Sequence, residues 1–151
     1  MRKLITLGLF TMLALVPALS SAADRVGDFT LLDQQGYSHT MSWYDDHAAI
    51  AFLIQANGTA VSTSTRREFA ALQTRFDDQG IEFFMLNPTG IQDRASVIAD
   101  MARHGSNMTV LIDDTQLISE ALDVDKTGEV FLFDPKSFTV EFRGPVGAEF
   151  E

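Results

Sequence analysis

No cysteine occurs in the 151-residue chain. That absence excludes thiolate nucleophiles, disulfides, iron–sulfur clusters and thiolate zinc sites built from this chain alone. Basic side chains are also scarce: 11 Lys and Arg stand against 21 Asp and Glu, a formal charge of −10 at pH 7. A chain this acidic does not seek nucleic-acid phosphates. Its acids are scattered rather than gathered in a run, so they read as a solubilising surface. No internal repeat, low-complexity linker, paired-carboxylate motif, Gly-x-x-x-x-Gly-Lys phosphate loop or haem-attachment motif is found, so the sequence implies no cofactor and no bound metal.

One long apolar run is present, at the start. Arg2 and Lys3 precede Leu4–Leu19, broken mainly by Thr6, Thr11 and Pro17, and Ser20-Ser21-Ala22-Ala23 follow. Charged, apolar and small-residue regions in that order are the pattern of a secretory signal peptide. The apolar run is about 16 residues, short of the ~20 that span a bilayer. The expectation is a signal peptide over residues 1–22 and a single domain over residues 23–151, periplasmic or secreted, with no membrane segment after cleavage. No cysteine sits at the junction to carry a lipid anchor.

The rest of the chain alternates strand and helix signals. Phe29–Leu32 and Tyr37–Met41 flank the turn Asp33-Gln34-Gln35-Gly36 and read as a hairpin. Ala48–Gln55 is a continuous apolar run suited to a strand buried on both faces, and Asn57-Gly58 ends it. Ser62–Thr65 offer helix N-caps, with Glu68 at capping-box spacing from Thr65. Phe69, Leu72 and Phe76 then recur at helical spacing, and Gly80 stands as the C′ residue. Ile81–Leu86 predicts a second buried strand and Gln92–His104 a helix closed by Gly105. Thr109–Ile112 predicts a third strand, and Thr115–Leu122 a helix capped by Asp113-Asp114. Two final strands, Glu129–Phe133 and Thr139–Phe142, are joined too briefly for a crossover and must pair antiparallel. The order predicts an α/β fold: a mixed central sheet with helices on both faces and an N-terminal β-hairpin.

Several segments, in this order and spacing, carry a family resemblance. They are Val26-Gly27-Asp28-Phe29-Thr30-Leu31-Leu32-Asp33, Asn57-Gly58, Leu111-Ile112-Asp113-Asp114-Thr115-Gln116, Glu129-Val130-Phe131-Leu132-Phe133-Asp134-Pro135 and Phe142-Arg143-Gly144-Pro145-Val146. Together they resemble the redoxin branch of the alkyl hydroperoxide reductase/thiol-specific antioxidant family, over nearly the whole chain after the leader. The resemblance implies a thioredoxin-like fold and thiol–disulfide or peroxide chemistry by a cysteine at the start of the first long helix. There a helix N-terminus lowers a thiol's pKa. Relatives typically follow the Asn-Gly pair with Cys-Pro; this chain has Thr59-Ala60-Val61-Ser62, with Thr59 matched to the nucleophile. The peroxidatic Pro-x-x-x-Thr-x-x-Cys pattern is absent too. Where thioredoxin-like proteins usually carry a cis-proline facing that helix, this chain has Gly128, within Lys126-Thr127-Gly128-Glu129.

A hydroxyl at Thr59 or Ser62 is a weak nucleophile without a positioned base and has no accessible redox chemistry, so no catalytic residue is assigned. Asp45-Asp46-His47 has metal-ligand residue types, but a site would need a distant ligand such as His39 or His104, and a surface turn is the plainer reading. Glu68 sits beside Arg66-Arg67 and Asp100 near Arg103, each on its own helix, consistent with local ion pairs. The twelve phenylalanines read as core. After the last strand only Gly147-Ala148-Glu149-Phe150-Glu151 remain, too few for the final helix usual in this fold. The sheet face would then be partly bare, or covered by a partner, or the chain is a piece of a longer protein. The expectation is an exported redoxin-domain protein without the redox cysteine, acting as a non-catalytic module that binds a protein partner or accessory domain. The alternatives are an oxidoreductase component working with a partner's cysteine, a metal-assisted activity, a decayed relative without activity, or the N-terminal fragment of a multidomain redox protein.

Overall fold

Every residue of Ala49–Ile54 is buried, as a strand covered on both faces requires. This strand, β4, is the middle of the architecture. The computed structural model describes residues 24–56, 61, 63–88 and 93–147. The proposed leader over residues 1–22, the Asn57-Gly58 pair and the tail from residue 148 lie outside the described residues.

The strands are β1 (Asp24–Arg25), β2 (Thr30–Asp33), β3 (Ser38–Thr40), β4, β5 (Ile81–Asn87), β6 (Val110–Ile112), β7 (Glu129–Asp134) and β8 (Thr139–Pro145). They form one sheet in the order β1-β8-β7-β4-β5-β6-β2-β3. The β4–β5 and β5–β6 pairs are parallel, with Phe52 opposite Phe84 and Leu86 opposite Leu111. All other pairs are antiparallel. Parallel neighbours need crossovers, and α1 (Thr63–Arg75) and α2 (Arg94–Arg103) supply them. The third helix, α3, spans Leu117–Ala121.

Alternation along the strands divides the core in two. Ile50, Phe52, Ile54, Phe84, Leu86, Phe131 and Phe133 face α3 and the 3-10 turn Met41–Tyr44, with Phe29, Ile118 and Leu122 packed on them. Ala51, Leu53, Phe83, Met85, Val110 and Val130 face the other way, against Phe69 of α1 and Val97 and Met101 of α2. Each fully buried phenylalanine contributes about 1.5–3 kcal/mol relative to its exposed state. Helices thus cover both faces, as the alternating strand and helix pattern implied.

The departures are local and have physical causes. Helix α1 begins at Thr63, so Thr65 lies inside its first turn rather than at its N-cap. The helix ends at Arg75. Gly80, at φ 69°, instead closes a 3-10 turn over Asp77–Gln79 and offers its carbonyl to the Ala48 N–H at 2.7 Å. Helix α3 starts two residues later than expected because Gln116 takes φ 61°, outside the helical range. Asp113 caps it from below: its Oδ2 accepts from both the N–H and the hydroxyl of Ser119, each at 2.7 Å. For α2, Asp93 is the N-cap and accepts from the Ser96 N–H at 2.7 Å. The expected first residue, Gln92, is outside the described residues. The short β1, not foreseen, pairs with β8 through Asp24–Val140 and Arg25–Thr139.

No residue of β8 is buried, but its apolar side chains Val140 and Phe142, and Leu132 of β7, are half-buried rather than exposed. The large exposed hydrophobics among the described residues are Leu32, Tyr37, Trp43, Ile98 and Leu117, none of them on these strands. Phe142 folds its ring along β8 over Gly144, 2.7 Å from where a Gly144 Cβ would stand.

Candidate functional site

In open α/β sheets, sites form at the carboxyl ends of the parallel strands. Here that edge carries Gln55 after β4, Asn87 at the end of β5 and Asp113 after β6, all buried. The Gln55 N–H bonds the Leu86 carbonyl at 2.9 Å, which extends the β4–β5 ladder by one residue. Its side-chain amide is fully buried, and among the described residues neither polar atom finds a hydrogen-bond partner. Past it the chain reaches the four positions where the resemblance places redox chemistry. Thr59, Ala60 and Ser62 lie outside the described residues. Val61 is buried at 6% exposure. Ser62 is the residue next to the first described residue of α1, while Thr59 stands three positions earlier in the sequence.

Opposite lies the segment before β7. Gly128 adopts φ 88°, a left-handed value that disfavours side chains, and no cis peptide bond occurs among the described residues. Its N–H donates to the Ile54 carbonyl at 2.8 Å, tying this segment to the end of β4. The structure therefore brings Val61 and Gly128 together: they line one cleft of about 330 Å³ with Thr65, Lys126, Thr127 and Pro145. Glu129, also on its wall, is 8% exposed, and its Oε2 has no hydrogen-bond partner among the described residues. Its Oε1 lies 3.8 Å from the exposed Lys126 ammonium.

This arrangement can hold a ligand group, but nothing in it can exchange electrons as a thiol does. A model of the AhpC/TSA family matches residues 22–145. The chain belongs to the AhpC/TSA family. Solved structures agree on the fold. A thiol-disulfide oxidoreductase from Bacteroides fragilis superposes at TM-score 0.67 with 12% identity, covering 79% of this chain and 88% of its own. An uncharacterized conserved protein from Geobacillus kaustophilus gives 0.70 at 17% identity, covering 84% and 70%. The bacterioferritin comigratory protein of Xanthomonas campestris, described for alkyl peroxide reduction, gives 0.63 at 19% identity, covering 77% and 79%. No curated protein sequence matches. As an AhpC/TSA protein this chain is cysteine-less throughout its length.

The other candidate clusters resolve into separate contacts. His47 Nδ1 lies 2.7 Å from Asp46 Oδ1 and its Nε2 3.7 Å from Glu82 Oε2. His104 sits 3.7 Å from Asp100, on α2. His39 bonds Asp33 Oδ2 at 3.1 Å and the Tyr44 hydroxyl at 2.6 Å. Among the described residues no group of three or more such side chains could hold a metal ion. Asp100 pairs with Arg103 on its own helix, the local pair the sequence suggested, and also with Arg66 of α1, a pair it did not suggest. No ion pair to Glu68 is seen among the described residues.

Sequence reasoning missed the Asp33–His39–Tyr44 chain. Burial works to raise the Asp33 carboxyl. The His39 hydrogen bond and the N–H groups of Tyr37, Gly36 and Gln35 outweigh it and hold Asp33 below its ordinary value of 3.8. Burial, with the charges of Glu82 and Asp33, holds the Tyr44 phenol above its ordinary 10.0. Asp33-Gln34-Gln35-Gly36 announced a turn, but nothing in the sequence brings His39 and Tyr44 onto its carboxylate.

Proposed function

We propose that this protein is an exported thioredoxin-fold module that acts by contact, binding a protein partner or accessory domain, and that it does no thiol chemistry of its own. The observation that carries this reading is a family core matched from residue 22 to residue 145 with no cysteine in it. The chain keeps the scaffold that presents a partner-binding edge and lacks the atom that would react there.

The cleft between Val61 and Gly128 is the surface for that contact. In the proline-bearing relatives the matching backbone pairs with an extended peptide. Here the Gly128 N–H is already engaged by Ile54, so it is not available to a docked strand. A partner must instead use the cleft walls, where Lys126 is exposed and the Glu129 carboxylate is held just below the surface. The leader-like residues 1–22 support an exported location.

The test is direct. The purified protein, given dithiothreitol, is expected neither to reduce insulin nor to consume hydrogen peroxide above the rate without protein. Turnover in either assay would overturn the reading. Fractionation of cells expressing the full chain is expected to show a product shortened by about two kilodaltons outside the cytoplasm, following removal of a leader of ordinary length. A full-length cytoplasmic product would remove the export part alone.

A further inference from the structure

We infer that the groove between α1 and the turn linking α2 to β6 is a binding site for a small carboxylate or phosphate anion. The groove is about 340 Å³ and is lined by Thr63, Arg66 and Arg67 of α1, by Glu82, and by His104 and Asn107. That volume is at the low end for ligand pockets, which suits a small molecule. Among the described residues neither Val61 nor Gly128 lines it, and it shares no lining residue with the cleft between them.

The argument begins with Arg66, which is only 5% exposed. A guanidinium carries five donors in a fixed fork and is costly to bury without acceptors for them. Its two terminal nitrogens lie 3.5 Å from Asp100 Oδ2, at the outer limit of a hydrogen bond. Its Nε is buried and has no hydrogen-bond partner among the described residues. Asp100 cannot compensate further, because its other oxygen already serves Arg103 Nη1 at 3.2 Å and His104 Nε2 at 3.7 Å. One carboxylate thus answers two arginines and a histidine.

Arg67, the next residue, is exposed and makes no ion pair among the described residues. The acid on the groove wall, Glu82, has its Oε2 near His47 Nε2 at 3.7 Å. Arg66 and Arg67 therefore form a basic lining on a chain whose formal charge is −10. An oxyanion in the groove would accept charge-assisted hydrogen bonds from the Arg67 guanidinium and from the terminal nitrogens of Arg66, whose own bonds to Asp100 are long. Carboxylate and phosphate share that chemistry.

Two-dimensional ¹H–¹⁵N spectra of the full protein, titrated with sodium phosphate, sodium succinate or sodium chloride at constant ionic strength, test the inference. Phosphate or succinate is expected to give saturating shifts confined to amides of residues 63–74 and 104–109. Chloride is expected to give none. The anion that saturates at lower concentration identifies the class. Arg67→Ala, at an exposed position, is expected to weaken binding at least about tenfold, whereas Lys136→Ala leaves it unchanged. Bound anion also raises the melting temperature of the wild type and not of Arg67→Ala. Non-saturating shifts shared by all three salts, or saturation unaffected by Arg67→Ala, would overturn the site.

Discussion

Asp33 and His39 are bound across the first hairpin: Oδ2 of the carboxylate lies 3.1 Å from Nε2 of the imidazole, while Oδ1 accepts the N–H groups of Gln35, Gly36 and Tyr37 at 2.7–2.9 Å. One side chain therefore builds the turn and fastens it to the 3-10 segment through His39 and Tyr44. Removing it leaves the Gln35 and Tyr37 N–H groups and an imidazole without their acceptor, while the Gly36 N–H keeps its bond to the Asp33 carbonyl at 3.0 Å. Asp33→Ala is expected to cost about 2–4 kcal/mol at pH 7 in urea denaturation, given ~1–3 kcal/mol for buried polar groups left unsatisfied. The pH dependence has a definite sign. The folded-state pKa is depressed, so the ionised carboxylate stabilises above its ordinary 3.8 and that stabilisation is lost as pH falls through the folded value. The gap between wild type and variant should narrow below about pH 4. A gap that stays constant from pH 7 to pH 3 would show that charge is not its source.

Asp113 plays a comparable part for α3. The carboxylate is fully buried and takes both the N–H and the hydroxyl of Ser119, six residues on. Asp113→Ala is expected to cost about 1–3 kcal/mol and Ser119→Ala about 1 kcal/mol. A double-mutant cycle should return a coupling of about 0.5–2 kcal/mol between them. Additive losses would mean the two residues act separately.

These two aspartates mark what could and could not be read in the sequence. The strands announced themselves because Ala48–Ile54 and Phe83–Leu86 are short apolar runs of strand length, bounded by the Asn57-Gly58 pair and Gly80. The helices followed from the spacing of Phe69, Leu72 and Phe76 and from Gly105. Asp113 was legible as a cap, but not its reach to Ser119, because Gln116 takes a left-handed conformation that no glycine advertises. The pairing of β1 with β8 and the burial of Arg66 depend on contacts between residues distant in the chain. At the candidate site, Val61 and Gly128 were placed through family resemblance. Spacing alone could not show that they line one cleft.

Cysteines returned to the motif positions would respond differently to the helix. Helix α1 begins at Thr63, and the charge effect of a helix end fades within about one turn. Ser62→Cys, next to that end, is expected to titrate below the free-thiol value of about 8.5, and Thr59→Cys to stay nearer to it. Iodoacetamide reactivity measured across pH reads both values in otherwise cysteine-free protein, so no background thiol interferes. A lower value for Thr59→Cys would assign the nucleophile position to residue 59, as the Asn57-Gly58 alignment implies. In either variant insulin reduction should remain weak, since no second cysteine is present to resolve a mixed disulfide.

Restoring the proline at residue 128 should damage this protein rather than repair it. Gly128 holds φ at 88°, whereas a proline ring fixes φ near −65°. Its N–H donates to the Ile54 carbonyl at 2.8 Å, and a proline has none to give. Gly128→Pro must therefore break the tie between β4 and the segment before β7 and also turn the backbone out of the left-handed region. The expected cost is about 3 kcal/mol or more, the scale of a proline placed where both its ring and its missing donor conflict with the backbone. Gly128→Ala keeps the donor and meets no atom within 4 Å, so it isolates the conformational part. That change should cost about 1–2 kcal/mol. Chemical denaturation of the three proteins separates the contributions: the difference between the alanine and proline variants measures the hydrogen bond and the ring together. If Gly128→Pro proved as stable as wild type, the segment would have to be free to rearrange around a proline, and the engaged N–H would no longer explain why a docked strand cannot use this edge.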